Sequence, residues 1–290
     1  MTSIAPPGYE EPPEPAPAPV ANAGWKPWTA PIALVMWFGM TIVVSLLIAV
    51  AAAAAGYSLD DPPPGVNIAG TCAQDLAMIV AALFFAHMAW RPRGADFGLL
   101  RTPTGKAVGA MIAVWVAFIG FSVVWKAAIS LDEPQTLPDE LGIDGSTVNL
   151  VLVVVIITIL APLCEEFLFR GYVFGALRNW RGVMPAAIGT GVIFGAVHIG
   201  SSPVGYALPL AFFGFGLCML YQSTGSLYPG IALHALNNAF ALGLDRHWGW
   251  EIPIVMVIAV GSSLTLASLL GRELGRRADQ AAGPLPQPAG

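Results

Sequence analysis

The sequence predicts an all-α protein, a polytopic bundle of about eight transmembrane helices, and three observations carry that prediction. Of its 290 residues, 56% are hydrophobic and only 11% charged, whereas about 25% charged is usual in a soluble domain. Lipid must therefore solvate much of the surface. Eight segments are apolar for close to the ~20 residues that a membrane span needs: roughly 31–56, 71–90, 106–130, 148–177, 184–199, 205–222, 227–244 and 252–271. Lysine and arginine, finally, fall into alternate loops, as eight consecutive crossings require.

Residues 1–24 are rich in Pro, Ala and Glu and lack the basic-then-apolar order of a cleavable signal. They are expected to form a disordered tail, and 278–290 another, which leaves 25–277 as the membrane domain. In the second and third segments Asp75, His87 and Lys126 lie near predicted ends, where an interfacial or snorkelling position explains them. The fourth is too long for one straight span and contains Pro162, so a kink or a tilted extension is expected there. The fifth and sixth are short and Gly-rich, and Gly191 with Gly195 forms a GxxxG face suited to close helix packing.

Basic residues near spans are retained on the cytoplasmic side. With both termini inside, that side holds Lys26, Arg91, Arg93, Arg101, Lys106, Arg178, Arg181, Arg272, Arg276 and Arg277, and the opposite side only Arg246. The first two opposite loops are acidic, with Asp60, Asp61, Asp132, Glu133, Asp139, Glu140 and Asp144. The expected location is thus a prokaryotic plasma membrane with both termini cytoplasmic. A net charge of −5 without a basic patch excludes a nucleic-acid partner. Cys72, Cys164 and Cys218 lie singly, without CxxC spacing, and read as packing residues.

An ionisable group near the centre of an inserted helix costs roughly 2.5–3.5 kcal/mol on translocon scales, so its presence points to function. Such groups are few: Glu165, Glu166 and Arg170 in the fourth span, His198 in the fifth, and His234 with Asn237 and Asn238 in the seventh. Glu166 and Arg170, four apart, can pair on one helix face. Glu165 points about 100° away on an ideal helix and is free to face another helix, where a poorly solvated carboxylate suits a general base. Phe194 and His198 are also four apart, which can seat the imidazole against an aromatic ring. His234 and Asn238 place two hydrogen-bond donors on one face, a plausible oxyanion hole, with Asn237 turned aside. Each cluster alone also fits an ordinary helix-packing contact.

Together the three clusters resemble the signature of the CPBP family of intramembrane proteases, which includes the CAAX prenyl endopeptidases and bacterial Abi-type relatives. EExxxR is matched by Glu165, Glu166 and Arg170, FxxxH by Phe194 and His198, and HxxxN by His234 and Asn238. The resemblance covers about 148–244 and implies a glutamate-dependent endopeptidase. It implies that Glu165 and His198 activate a water, that His234 and Asn238 stabilise the oxyanion, and that Glu166 and Arg170 support the site. It further implies a peptide or membrane-protein substrate, with or without a lipid, handled by CAAX-type C-terminal processing or peptide maturation. No cofactor is required on this reading. The residues alone leave two others open: a zinc peptidase, since two His and a Glu can hold a metal although HExxH is absent, and a transporter or scaffold that uses the buried charges without catalysis.

Overall fold

The computed structural model describes residues 23–131 and 133–282. Eight helices of at least 15 residues build a polytopic helical bundle: α1 Thr29–Ala54, α2 Pro64–Ala89, α3 Thr104–Ile129, α4 Thr147–Arg181, α5 Val183–Val197, α6 Ala207–Thr224, α7 Tyr228–Asp245 and α8 Glu251–Ala282. Each corresponds to one predicted segment. The expected N-terminal tail lies outside the described residues except for its last two. The expected C-terminal tail begins inside α8, which runs on to Ala282, and its remainder lies outside the described residues.

Six of the described helices are long and apolar enough to cross a membrane, and the chain is an integral membrane protein. The other two have physical reasons to fall short of that measure. At 15 residues, α5 spans about 22 Å, less than the ~30 Å hydrocarbon core. The polar groups of α7, among them His234, Asn237 and Asn238, lower its hydropathy, and most of its residues are covered by neighbouring helices rather than by lipid.

Helix ends gather at two opposite faces. At one, Trp25 stacks near Trp90, Asn179 Nδ2 donates to the Trp25 carbonyl, Arg93 pairs with Asp279, and Arg178 Nη1 donates to Gln222. At the other, Asn67 Nδ2 donates to the Glu140 carbonyl, Ser202 Oγ to Gln135, Tyr206 Oη to the Glu133 carbonyl, and Arg246 pairs with Asp139 and Asp144. Burial works against the charge of Arg246, but hydrogen bonds and attraction from Asp245 and Asp139 outweigh it and raise the pKa of this loop residue. The first face carries the basic loops and the second the acidic ones. Their separation is what eight alternating crossings produce.

Two local features set up the centre of the bundle. The GxxxG face works by close approach: a Cβ on Gly191 would stand 2.7 Å from the Ala211 carbonyl oxygen, and one on Gly195 would strike that of Ala207. Thus α5 and α6 pack backbone to backbone. Helix α4 does not stop at Pro162. It widens into π-helical turns on both sides, over Ile156–Leu160 and Glu166–Phe174, a distortion frequent at functional sites. In the wide register Ala161 N–H bonds back to the Ile156 carbonyl. The next donor in that register would be Pro162, which has no N–H, so the Ile157 carbonyl is left for another partner.

Candidate active site

Arg170 and Glu166 form the innermost layer of the site and are both fully buried. Arg170 Nη1 donates to Glu166 Oε1 at 2.7 Å and Nη2 to the Gly214 carbonyl at 3.1 Å. The guanidinium also lies over the Phe194 ring, 4.4 Å from its centroid, an attraction that strengthens where water is excluded. Gly214 and Gly230 permit this layer. A Cβ at Gly214 would press on Phe194, and one at Gly230 would stand 2.9 Å from Glu166 Oε2.

His234, on α7, links this layer to the next. Its Nδ1 lies 2.9 Å from Glu166 Oε1, and its Nε2 lies 3.7 Å from Glu165 Oε2. The two adjacent glutamates thus face opposite nitrogens of one ring. Because Glu166 is an ion-paired acceptor, Nδ1 is the donor in that bond. Phe213 and Phe194 meet the imidazole edge-on, with centroids 5.5 and 5.7 Å away, and fix its plane.

His198 closes the other side. It sits just past the end of α5, with its ring 4.7 Å from that of Phe194. Its Nδ1 is 2.7 Å from the Phe194 carbonyl, which has no proton to give, so Nδ1–H must donate. Nε2 of the neutral ring therefore carries a lone pair, and it faces Glu165 Oε2 at 3.9 Å. Glu165 Oε2 itself is buried and has no hydrogen-bond partner.

Asn238 lies one turn beyond His234, and its Nδ2 donates to the Ile157 carbonyl at 3.0 Å. That is the carbonyl that Pro162 leaves without a backbone donor, so one amide hydrogen is committed to α4 and the other remains. Asn237 turns to α3, where its Oδ1 accepts from Trp115 Nε1. Among the described residues no group of three His, Cys, Asp or Glu side chains is arranged to hold a metal ion.

Exposure grades along the bundle axis. The side chains of His198, Glu165, His234 and Glu166 are 21%, 11%, 4% and 0% exposed, in order from the acidic face inward. Beyond Arg170, Phe97, Phe167, Tyr172, Phe174 and Tyr221 are buried and stop the path to the basic face. The exposed end of this recess therefore lies at His198, on the side of the acidic face.

Sequence reasoning named these side chains but not their links. It missed the bond from His234 to Glu166, the docking of Asn238 on Ile157, and Asp75, which is 2% exposed on α2 rather than interfacial. A carboxylate within an apolar run was the available signal for Asp75; its place near one end of the predicted segment concealed it.

Residues 147–240 match the family model described as type II CAAX prenyl endopeptidase Rce1-like. All seven motif residues singled out above fall inside that stretch. The chain is similar to "Putative membrane peptidase YdiL" of Bacillus subtilis strain 168, 31% identical over 91 residues, which are 31% of this chain and 36% of that protein. It is also similar to "UPF0177 protein YxdF" of Lactococcus lactis subsp. lactis strain IL1403, 33% identical over 85 residues, 29% of this chain and 45% of that protein. The matched stretch thus spans less than half the length of either relative. No solved structure matches the chain.

Proposed function

We propose, from the match of residues 147–240 to the family model described as type II CAAX prenyl endopeptidase Rce1-like, that the chain is a membrane-embedded endopeptidase. The observation that carries this reading is the approach of Glu165 Oε2 to two imidazole Nε2 atoms, at 3.9 and 3.7 Å, inside a helical bundle. Those separations are too long for direct hydrogen bonds. They are short enough for one water, about 2.8 Å from each partner, to bridge Glu165 and His198 from the side.

Glu165 takes a proton from that water as its oxygen attacks the scissile carbonyl carbon, with His198 Nε2 accepting the water's second hydrogen bond. The proton passes to the amide nitrogen, the C–N bond breaks, and an acid and an amine leave. The two histidines differ in what faces Nδ1. His198 faces a neutral carbonyl and serves as an acceptor at Nε2. His234 gives Nδ1–H to the Glu166 carboxylate, and when Nε2 also carries a proton that N–H can donate to the oxyanion beside the second amide hydrogen of Asn238. No step needs a metal.

Glu165→Gln keeps the shape of the side chain and removes its basicity. Comparative terminomics of membranes carrying either protein should find a cleavage that depends on Glu165, while the amounts in the membrane stay equal. Full proteolysis of an identified substrate by the Gln variant would overturn the general-base assignment. Loss of cleavage in a strong chelator and its return with zinc would replace it by a bound metal.

The substrate side follows from orientation. With the basic loops cytoplasmic, the recess opens away from the cytoplasm, which favours an exported peptide or an extracytoplasmic membrane-protein segment over a cytosolic prenylated tail. An impermeant maleimide should label Asp61→Cys in intact cells and Arg276→Cys only after lysis. The reverse pattern would turn the recess to the cytoplasm and restore the CAAX-type tail as substrate.

A further inference from the structure

Asp75 is an ionisable group that the reaction above does not use, yet it is as deeply buried as the groups that do. It is 2% exposed, and its Oδ2 is buried without a hydrogen-bond partner. Its helix, α2, packs directly on the stretch Ala161–Glu165 of α4. Glu165, at the end of that stretch, is likewise buried with an oxygen that has no hydrogen-bond partner.

Their neighbours are unequal. Glu165 has an imidazole Nε2 on either side. On the elements packed against Asp75, α1 carries no ionisable side chain, α2 adds Cys72 and, in its last turn, the exposed His87, and α4 presents Cys164, Glu165 and, further along, Glu166 with Arg170. Arg170 is already held by Glu166 and the Gly214 carbonyl. No cation is thus placed to balance Asp75, and a second buried acid on the helix packed against it makes the charged form costlier still.

We propose that Asp75 is a positioning residue of this site, a neutral carboxylic acid that donates its proton in a hydrogen bond to the Glu165 carboxylate from the α2 side. The bond holds Glu165 toward the histidines and satisfies oxygens that would otherwise be orphaned in the bundle. The proton stays with the pair throughout turnover: the one that Glu165 removes from water leaves with the amine, so Asp75 is not consumed. A like-charged neighbour is thereby kept neutral beside the general base, the arrangement that lets Glu165 remain ionised.

The inference rests on the peptidase reading for its consequence but not for its test. Infrared spectroscopy of the purified full-length protein at neutral pH should resolve the C=O stretch of a protonated carboxyl, separate from the carboxylate bands. That band should vanish in Asp75→Asn and persist in Glu165→Gln. Its absence from the wild type, or its loss in Glu165→Gln alone, would place the proton elsewhere and overturn the proposal, whatever the chain hydrolyses. Once a substrate is in hand, Asp75→Asn, neutral and still a donor, should cleave within a few-fold of the wild type. Asp75→Leu should fall at least tenfold in kcat at unchanged KM and equal membrane level. Equal kcat for the Leu and Asn variants would remove the positioning role while leaving the infrared assignment to stand on its own.

Discussion

Arg170→Met is expected to destabilise the protein by about 3–5 kcal/mol, the usual cost of breaking a fully buried ion pair from one side. Arg170 is not exposed at all, and it serves three partners: Glu166 at 2.7 Å, the Gly214 carbonyl at 3.1 Å and the Phe194 ring at 4.4 Å. Removing it leaves the Glu166 carboxylate buried against His234 alone among its hydrogen-bonding side chains in the described residues. The loss should therefore depend on Glu166. In the double variant Arg170→Met/Glu166→Gln the uncompensated charge is gone, and part of the stability should return, which marks the two residues as coupled. Arg170→Lys keeps the charge but not the planar fork that meets a carboxylate and a carbonyl together, and should fall between. Thermal unfolding in detergent, read as the midpoint for all four proteins, measures the series. A single-variant shift no larger than that of an exposed substitution, or a double variant no better than the single, would contradict this account of the inner layer.

What the sequence disclosed and what it withheld divide along a physical line. Hydrocarbon imposes its requirement on whole segments, so each of the eight helices could be placed from apolar length alone, and the two at the margin, α5 and α7, are short or polar for reasons tied to the site. Intramembrane charge is costly enough that Glu165, Glu166, Arg170, His198 and His234 stood out from composition. The i,i+4 spacing found the Glu166–Arg170 pair and the seat of His198 on Phe194 because each lies within one helix.

Relations between helices were out of reach. An ideal α-helix turns Glu165 about 100° from Glu166, which suggests separate partners, yet both glutamates meet His234, at opposite ring nitrogens. The π-helical turns from Ile156 and from Glu166 change the facing of everything they contain, and nothing in the apolar pattern reports them. Pro162 announces a disturbance, but that the disturbance would free the Ile157 carbonyl for Asn238 depends on where α7 lies. Asp75 was discounted for the same reason: the depth of a residue near a predicted segment end is set by its neighbours, and α2 begins at Pro64, well before the apolar run.

The two histidines should respond differently to substitution, because the structure gives them opposite jobs at Nε2. His198 is asked to accept a hydrogen bond from the attacking water, so His198→Ala should lose about 10²-fold in kcat, the lower end of the range for acid–base assistance, while His198→Asn, whose Oδ1 can accept, should lose less. Added imidazole should restore part of the activity of His198→Ala, since the ring is 21% exposed and the recess opens beside it. His234 is asked to donate. His234→Gln retains an N–H donor and should lose less than His234→Leu, which should fall by about 10²–10³-fold, the range for one oxyanion donor. Imidazole should not rescue the Leu variant, whose ring site is 4% exposed and walled by Phe194 and Phe213. Steady-state kcat and KM for the set decide the matter, with KM expected to change little in all of them. Rescue at 234 and not at 198, or a His234→Gln as slow as the Leu variant, would exchange the two roles: the ring buried against Glu166 would be the acceptor, and the ring at the mouth of the recess the donor.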